Sequence, residues 1–135
     1  MALVTTMVVD ASCLYELVIH GPMFRSIAAE IAATQELVAP HIVDVEVAGL
    51  IRRDLVIGLL DQTAADLAIS RLSAWPGERV SHRPFHARVW ELRNNVRSWD
   101  AFYVALAEAL DAPLLTLDIR LSQATGPTCE CRVPG

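Results

Sequence analysis

The chain has 135 residues, 53% of them apolar and 20% charged, with a formal net charge of −5. That length buries roughly two-thirds of the unfolded surface, and the composition excludes intrinsic disorder. The negative charge argues against a protein that coats nucleic acid through bulk charge, and no apolar run reaches the roughly 18 residues of a membrane span.

In chain order, residues 3–9 form a β-branched run that stops at Asp10, which reads as a buried strand. Residues 12–20 read as a helix closed by Gly21 and Pro22, and residues 24–34 as an Ala-rich second helix. Residues 37–39 predict a strand, and residues 42–60 a helix that weakens at Gly58. Another helix covers 62–75 and ends at Pro76 and Gly77, and residues 79–82 predict a third strand. Pro84 suits the first turn of a helix over 84–94. Ser98 can cap a helix reaching Leu110. An apolar strand over 114–117, a helical turn over 118–123 and an edge strand over 128–133 complete the order.

Strands separated by helices imply parallel βαβ units. The expected fold class is therefore α/β, a single three-layer α/β/α domain over residues 1–135 with a mainly parallel central sheet. In such sheets functional groups gather beyond the carboxyl ends of the strands. Asp10 ends the first strand and Asp118 the strand at 114–117, so both face one crevice if those strands are neighbours.

Two more acids stand in apolar surroundings, Glu46 early in one helix and Asp100 at the start of another. An acid among core residues costs free energy unless something offsets it, and hard divalent cations do so through oxygen ligands. A competing reading has Asp10 and Asp118 as helix caps and Asp100 as a first-turn acid. Asp44 is two residues from Glu46, roughly 200° around the helix, so it reads as a solvated acid facing elsewhere.

The segments Val8-Val9-Asp10-Ala11-Ser12, Glu46-Val47-Ala48-Gly49-Leu50-Ile51-Arg52-Arg53, Trp99-Asp100-Ala101-Phe102-Tyr103 and Leu115-Thr116-Leu117-Asp118 together resemble the PIN-domain family, and within it the VapC-type toxins of toxin–antitoxin pairs. The resemblance covers essentially the whole chain. It implies an endoribonuclease dependent on Mg2+ or Mn2+, with Asp10, Glu46, Asp100 and Asp118 as the metal-holding catalytic acids. Ser12 and Thr116 match the polar residues beside the strand-end acids, Arg93 matches a frequent basic position, and Asn95 lies near Asp100, the last two with less defined roles. Products with a 3′-hydroxyl and a 5′-phosphate, a toxin homodimer and a larger assembly with an antitoxin also follow from the resemblance, while the odd count of three Cys reads as reduced thiols in the cytoplasm. The two helices at 12–20 and 24–34 are the expected antitoxin groove.

Arg79, Arg83, Arg88, Arg93 and Arg97 form a basic stretch before Asp100, while Arg52, Arg53 and Arg120 follow two of the acids. They read either as phosphate contacts, with Arg93 and Arg97 foremost, or as surface charges paired with acids. His82 and His86 have Pro84 between them, which speaks against a zinc site. Cys129 and Cys131 read as buried apolar residues, and the three Trp as core or interface residues. Two α/β families with strand-end acids are excluded. A response-regulator receiver needs a Lys, and this chain has none; a haloacid-dehalogenase-type phosphatase needs an acid at position 12, where Ser12 stands. A catalytically idle binding module and a housekeeping RNA-processing nuclease are the alternatives to a toxin.

Overall fold

The computed structural model describes residues 5–135, so the predicted start of the first strand at Leu3 lies outside the described residues. Strands β1 (Thr6–Val9), β2 (Glu36–Pro40), β3 (Glu78–Val80), β4 (Leu114–Leu115) and β5 (Cys131–Arg132) form one sheet in the order β3-β2-β1-β4-β5. All four pairings are parallel, including the C-terminal edge strand. Helices α1 (Ala11–Ile19), α2 (Phe24–Ile31), α3 (Ile42–Val56), α4 (Gln62–Ala74), α5 (His86–Glu91), α6 (Ser98–Leu110) and α7 (Ile119–Ser122) alternate with the strands. Helices α1, α3 and α4 pack together, while α6 lies on β1, β2 and β4 with α5 beside it. The result is a three-layer α/β/α fold.

The central strands carry no polar alternation because both their faces are covered. Met7, Val8, Val9, Leu114 and Leu115 are fully buried, as are Leu14, Val43, Val47, Val104 and Tyr103 on the flanking helices. The chain adds β2 and β3 on one side of β1, then returns to add β4 and β5 on the other. The direction therefore reverses between β1 and β4, where Val9 pairs with Leu115 and Asp10 N–H donates to the Leu115 carbonyl at 3.1 Å. A crevice opens at such a switch point.

Two helices differ from the expected bounds. The helix expected to reach residue 60 stops at Val56, because Gly58 adopts φ +85° and the N–H groups of Leu59 and Leu60 both fold back onto the Asp54 carbonyl. The helix expected over 84–94 splits into a 3-10 turn, Arg83–Phe85, and the short α5. Pro84 has no N–H to continue a regular ladder through that turn.

Arg88 grips Glu108 through two hydrogen bonds of 2.7 and 3.0 Å and also donates to the Gly126 carbonyl. Glu108 accepts from Thr128 N–H as well, at 2.7 Å, so the pair ties α5, α6 and the C-terminal segment together. The Arg88 guanidinium is the main reason that the Glu108 pKa lies below the usual glutamate value. A depressed acid pKa contributes stability above the unfolded value and loses it as pH falls through the folded value. Glu108→Gln is therefore expected to melt a few degrees lower at pH 7, with the gap to the parent closing below the ordinary glutamate range in a thermal-melt series across pH.

The large exposed apolar side chains lie outside the two helices expected to form the antitoxin groove. Among the described residues, no large apolar side chain of α1 or α2 is exposed; such residues lie instead at Val45, at Val56, Ile57 and Leu59 after α3, and at Leu67 and Ile69 on α4. Trp90 and Trp99 are exposed rather than core, and Cys129 and Cys131 are only half-buried, beside the edge of the sheet.

Candidate active site

The site is built at the carboxyl end of β1 and β4. Asp10 leaves β1 in extended conformation and caps α1, its Oδ1 accepting from Cys13 N–H at 3.0 Å. Ser12 donates to the same Oδ1 at 2.6 Å and accepts from Leu117 N–H at 3.1 Å, so one hydroxyl ties the β1 end to the β4 end. Thr116 steadies Asp10 through its side chain and accepts Asp118 N–H at 3.0 Å. Asp118 caps α7, accepting from Leu121 N–H at 3.2 Å. Capping and site-building are thus the same act: each cap bond holds a carboxylate at the mouth of the crevice. The polar residues read beside the strand-end acids, Ser12 and Thr116, both contact them.

Glu46 reaches the crevice from the second turn of α3, and Asp100 from the first turn of α6. Tyr103 donates its hydroxyl to Glu46 Oε1 at 2.7 Å. This residue was missed by sequence reasoning. The available signal was its position three residues after Asp100, which places both on one face of α6.

Burial dominates the electrostatics. Asp10 is only 5% exposed, and removal from water raises its pKa against the opposing hydrogen bonds. Burial raises the pKa of Glu46 too, with the charges of Asp100 and Asp10 adding to it. Asp100 is pushed up to about 6 by burial and then by the charges of Asp10 and Asp118. The acids therefore sense one another, although they come from four separate stretches of chain. Among the described residues, no three His, Cys, Asp or Glu side chains stand as a group that could hold a metal ion. The donor set offered by the acids is all oxygen, the kind that suits a hard divalent cation, and Mg2+ keeps several of its waters and takes only one or two carboxylates directly.

Asn95, Arg97, Asp100, Asp118 and Arg120 line a cleft of about 150 Å³ beside these acids, and the rest of its wall is apolar. Of the arginines read as phosphate contacts, Arg97 and Arg120 stand at this cleft. Arg93 stacks over Trp90, 4.8 Å from the ring centroid, donates to the Trp90 carbonyl, and does not line the cleft. Arg79 and Arg88 are committed to Asp44 and Glu108. Asp44 is accordingly an ion-pair partner rather than a freely solvated acid. Arg53 pairs with Asp54, a buried acid that also accepts from the Tyr15 hydroxyl and that sequence reasoning did not single out.

The PIN domain family model matches residues 7–127. Ribonuclease VapC1 of Mycobacterium tuberculosis is 42% identical over 96 residues, covering 70% of this chain and 72% of that protein. Ribonuclease VapC9 of the same organism is 35% identical over 129 residues, covering 93% and 96%. Two solved structures share the fold. PAE2754 from Pyrobaculum aerophilum superposes with a TM-score of 0.67 at 20% identity, covering 96% of this chain and 92% of that one. VapBC2 from Rickettsia felis, bound to a DNA fragment from its promoter, gives 0.66 at 11% identity, covering 97% and 100%. This chain belongs to the PIN-domain family and, within it, to the VapC group.

Proposed function

We propose that this PIN-domain chain is a metal-dependent endoribonuclease, the toxin of a type II toxin–antitoxin pair. The reading is carried by the charges of Asp10, Asp100 and Asp118 acting on Glu46 and Asp100, with burial raising the pKa of Asp10, Glu46 and Asp100. The ribonuclease names of its relatives support it. All four acids are proposed to hold Mg2+ or Mn2+, which when bound supplies Lewis-acid charge and an acidified water for phosphodiester hydrolysis.

The chain's own residues do the rest. Ser12 and Thr116 fix the Asp10 carboxylate, Thr116 also holds the Asp118 backbone, and Tyr103 fixes Glu46. Arg97 and Arg120 are placed to hold phosphate oxygens of the RNA. No side-chain nucleophile is needed: the Ser12 hydroxyl is engaged at both ends, and burial beside Asp10 holds the Cys13 thiol protonated. Tyr103→Phe is expected to weaken the Mn2+-induced rise in melting temperature, with affinity falling about tenfold to a hundredfold. The metal-free fold should change little, because the ring stays in place.

A partner fits the exposed apolar side chains that follow α3 and line α4, since such patches mark docking surfaces. The proposed assembly is a toxin homodimer joined by its antitoxin in the cytoplasm. No helix among the described residues is long and apolar enough to cross a membrane. The test is to induce the chain alone in bacteria and sequence new 5′-phosphate RNA ends, with Asp10→Asn at equal level. Growth arrest with discrete cuts that vanish in the variant is the expected result. Arrest that persists with Asp10→Asn would transfer the reading to an idle binding module.

A further inference from the structure

We propose that the apolar groove between α3 and the first turn of α6 is a nucleobase subsite, in which the Trp99 indole stacks on one base beside the scissile phosphodiester. The proposal rests on the ribonuclease reading and adds the part of the substrate that the acids do not contact.

Ile42, Val45, Glu46, Gly49 and Leu50 line the groove from α3. Their offsets of 3, 4, 7 and 8 residues from Ile42 place them on one helix face. Trp99 closes it from α6, and the cavity is about 360 Å³. That lies within the roughly 300–1,000 Å³ of small-ligand pockets. The apolar walls stand open to solvent: Val45 is 73% exposed and Trp99 59%.

Two features choose a base as occupant. The first is continuity with the reaction site. Glu46 is both a wall of the groove and a member of the acid cluster, and Trp99 directly precedes Asp100. Asp100 itself lines the cleft that holds Arg97 and Arg120. A cleft whose two arginines can meet phosphate oxygens and an aromatic cavity, with the acids that cut in the walls of both, repeat the alternation of phosphate and base along single-stranded RNA. The second is Gly49. A Cβ there would meet nothing within 4 Å, so packing does not demand glycine. Glycine in a helix interior costs about 1 kcal/mol against alanine, and here its effect is to leave the groove floor flat. Glu46 is the one charged lining residue, so recognition would be by stacking and tolerant of base identity.

The test measures binding of an uncleavable 2′-O-methyl RNA decamer of mixed sequence, and of the same decamer made abasic one position at a time. Cleavage of unmodified RNA is followed in parallel. Trp99→Ala is expected to lose about tenfold in affinity, and Trp99→Phe to recover most of it. Gly49→Leu, which fills the groove, should lose a similar factor while melting at or above the parent temperature. One abasic position should weaken the parent and leave Trp99→Ala indifferent, a coupling that a merely structural role would not produce. If the parent cleaves RNA and all three variants bind and cleave as it does, the subsite is overturned and the ribonuclease reading stands. If Gly49→Leu instead separates a dimer in sedimentation with RNA affinity unchanged, the groove belongs to a second copy and the subsite is overturned. A parent that neither binds nor cleaves RNA overturns both readings.

Discussion

Asp100→Asn is expected to abolish RNA cleavage, with a loss of at least about a hundredfold, and at the same time to raise the melting temperature of the metal-free protein. The two effects share one cause. Burial and the charges of Asp10 and Asp118 lift Asp100 from 3.8 to about 6, so the folded state holds its proton more tightly than the unfolded chain. A raised acid pKa destabilises the fold in full above the folded value, and the penalty disappears as pH falls through about 6 toward the unfolded value. Allowing for solvent screening at a half-exposed site, the penalty at pH 7 is on the order of 1–2 kcal/mol. That corresponds to a few degrees. Metal-free parent protein should therefore gain stability between pH 7 and pH 5, and Asp100→Asn should lack that part of the gain. Added Mn2+ should reverse the ranking at pH 7 by stabilising the parent more than the variant. A variant that melts no higher than the parent without metal, yet responds equally to Mn2+, would remove Asp100 from the site.

Arg79→Leu is expected to be the most destabilising single change outside the apolar core. The guanidinium spans Asp44 through two hydrogen bonds of 3.0 and 3.1 Å and donates to the carbonyls of Leu72, Trp75 and Gly77 at 2.7–2.9 Å. It also lies 4.9 Å from the Trp75 ring centroid. Arg79 thus closes the C-terminal end of α4, where helix carbonyls have no partners of their own, and ties that end to α3. Its loss strands several carbonyls and a carboxylate, a cost of about 3 kcal/mol. The melting temperature should fall by roughly 10 °C. Arg79→Lys should recover little, because one ammonium cannot reproduce the planar fork. Cleavage per folded molecule should be unchanged in both variants, which separates Arg79 from the arginines at the cleft. A large drop in kcat/KM with melting unchanged would return Arg79 to the RNA path.

The basic stretch shows where a one-dimensional reading reaches its limit. Five arginines in the segment 79–97 look alike as sequence, yet Arg79 and Arg88 are locked to acids and Arg93 lies on Trp90, while Arg97 stands at the cleft. Partner choice depends on which acid lies within reach, and Asp44 and Glu108 are 35 and 20 residues away in sequence. The four acids, in contrast, stand out in the sequence, since each ends a strand or enters a helix in an apolar neighbourhood. That Asp10 and Asp118 share a crevice depended on their strands being neighbours, and the pairing of β1 with β4 supplied it.

Local chemistry therefore determined the element order and the parallel sheet and singled out the candidate acids, because periodicity, capping and the cost of isolated charge act over a few residues. The tertiary structure alone decided what those residues face. It placed Tyr103 on Glu46, hung Ser12 between Asp10 and Leu117, left large apolar side chains of α3 and α4 open to solvent, and exposed Trp99 beside Asp100. Those outcomes depend on contacts between distant segments, and such contacts exist only after the sheet has set the distance and direction of every helix upon it.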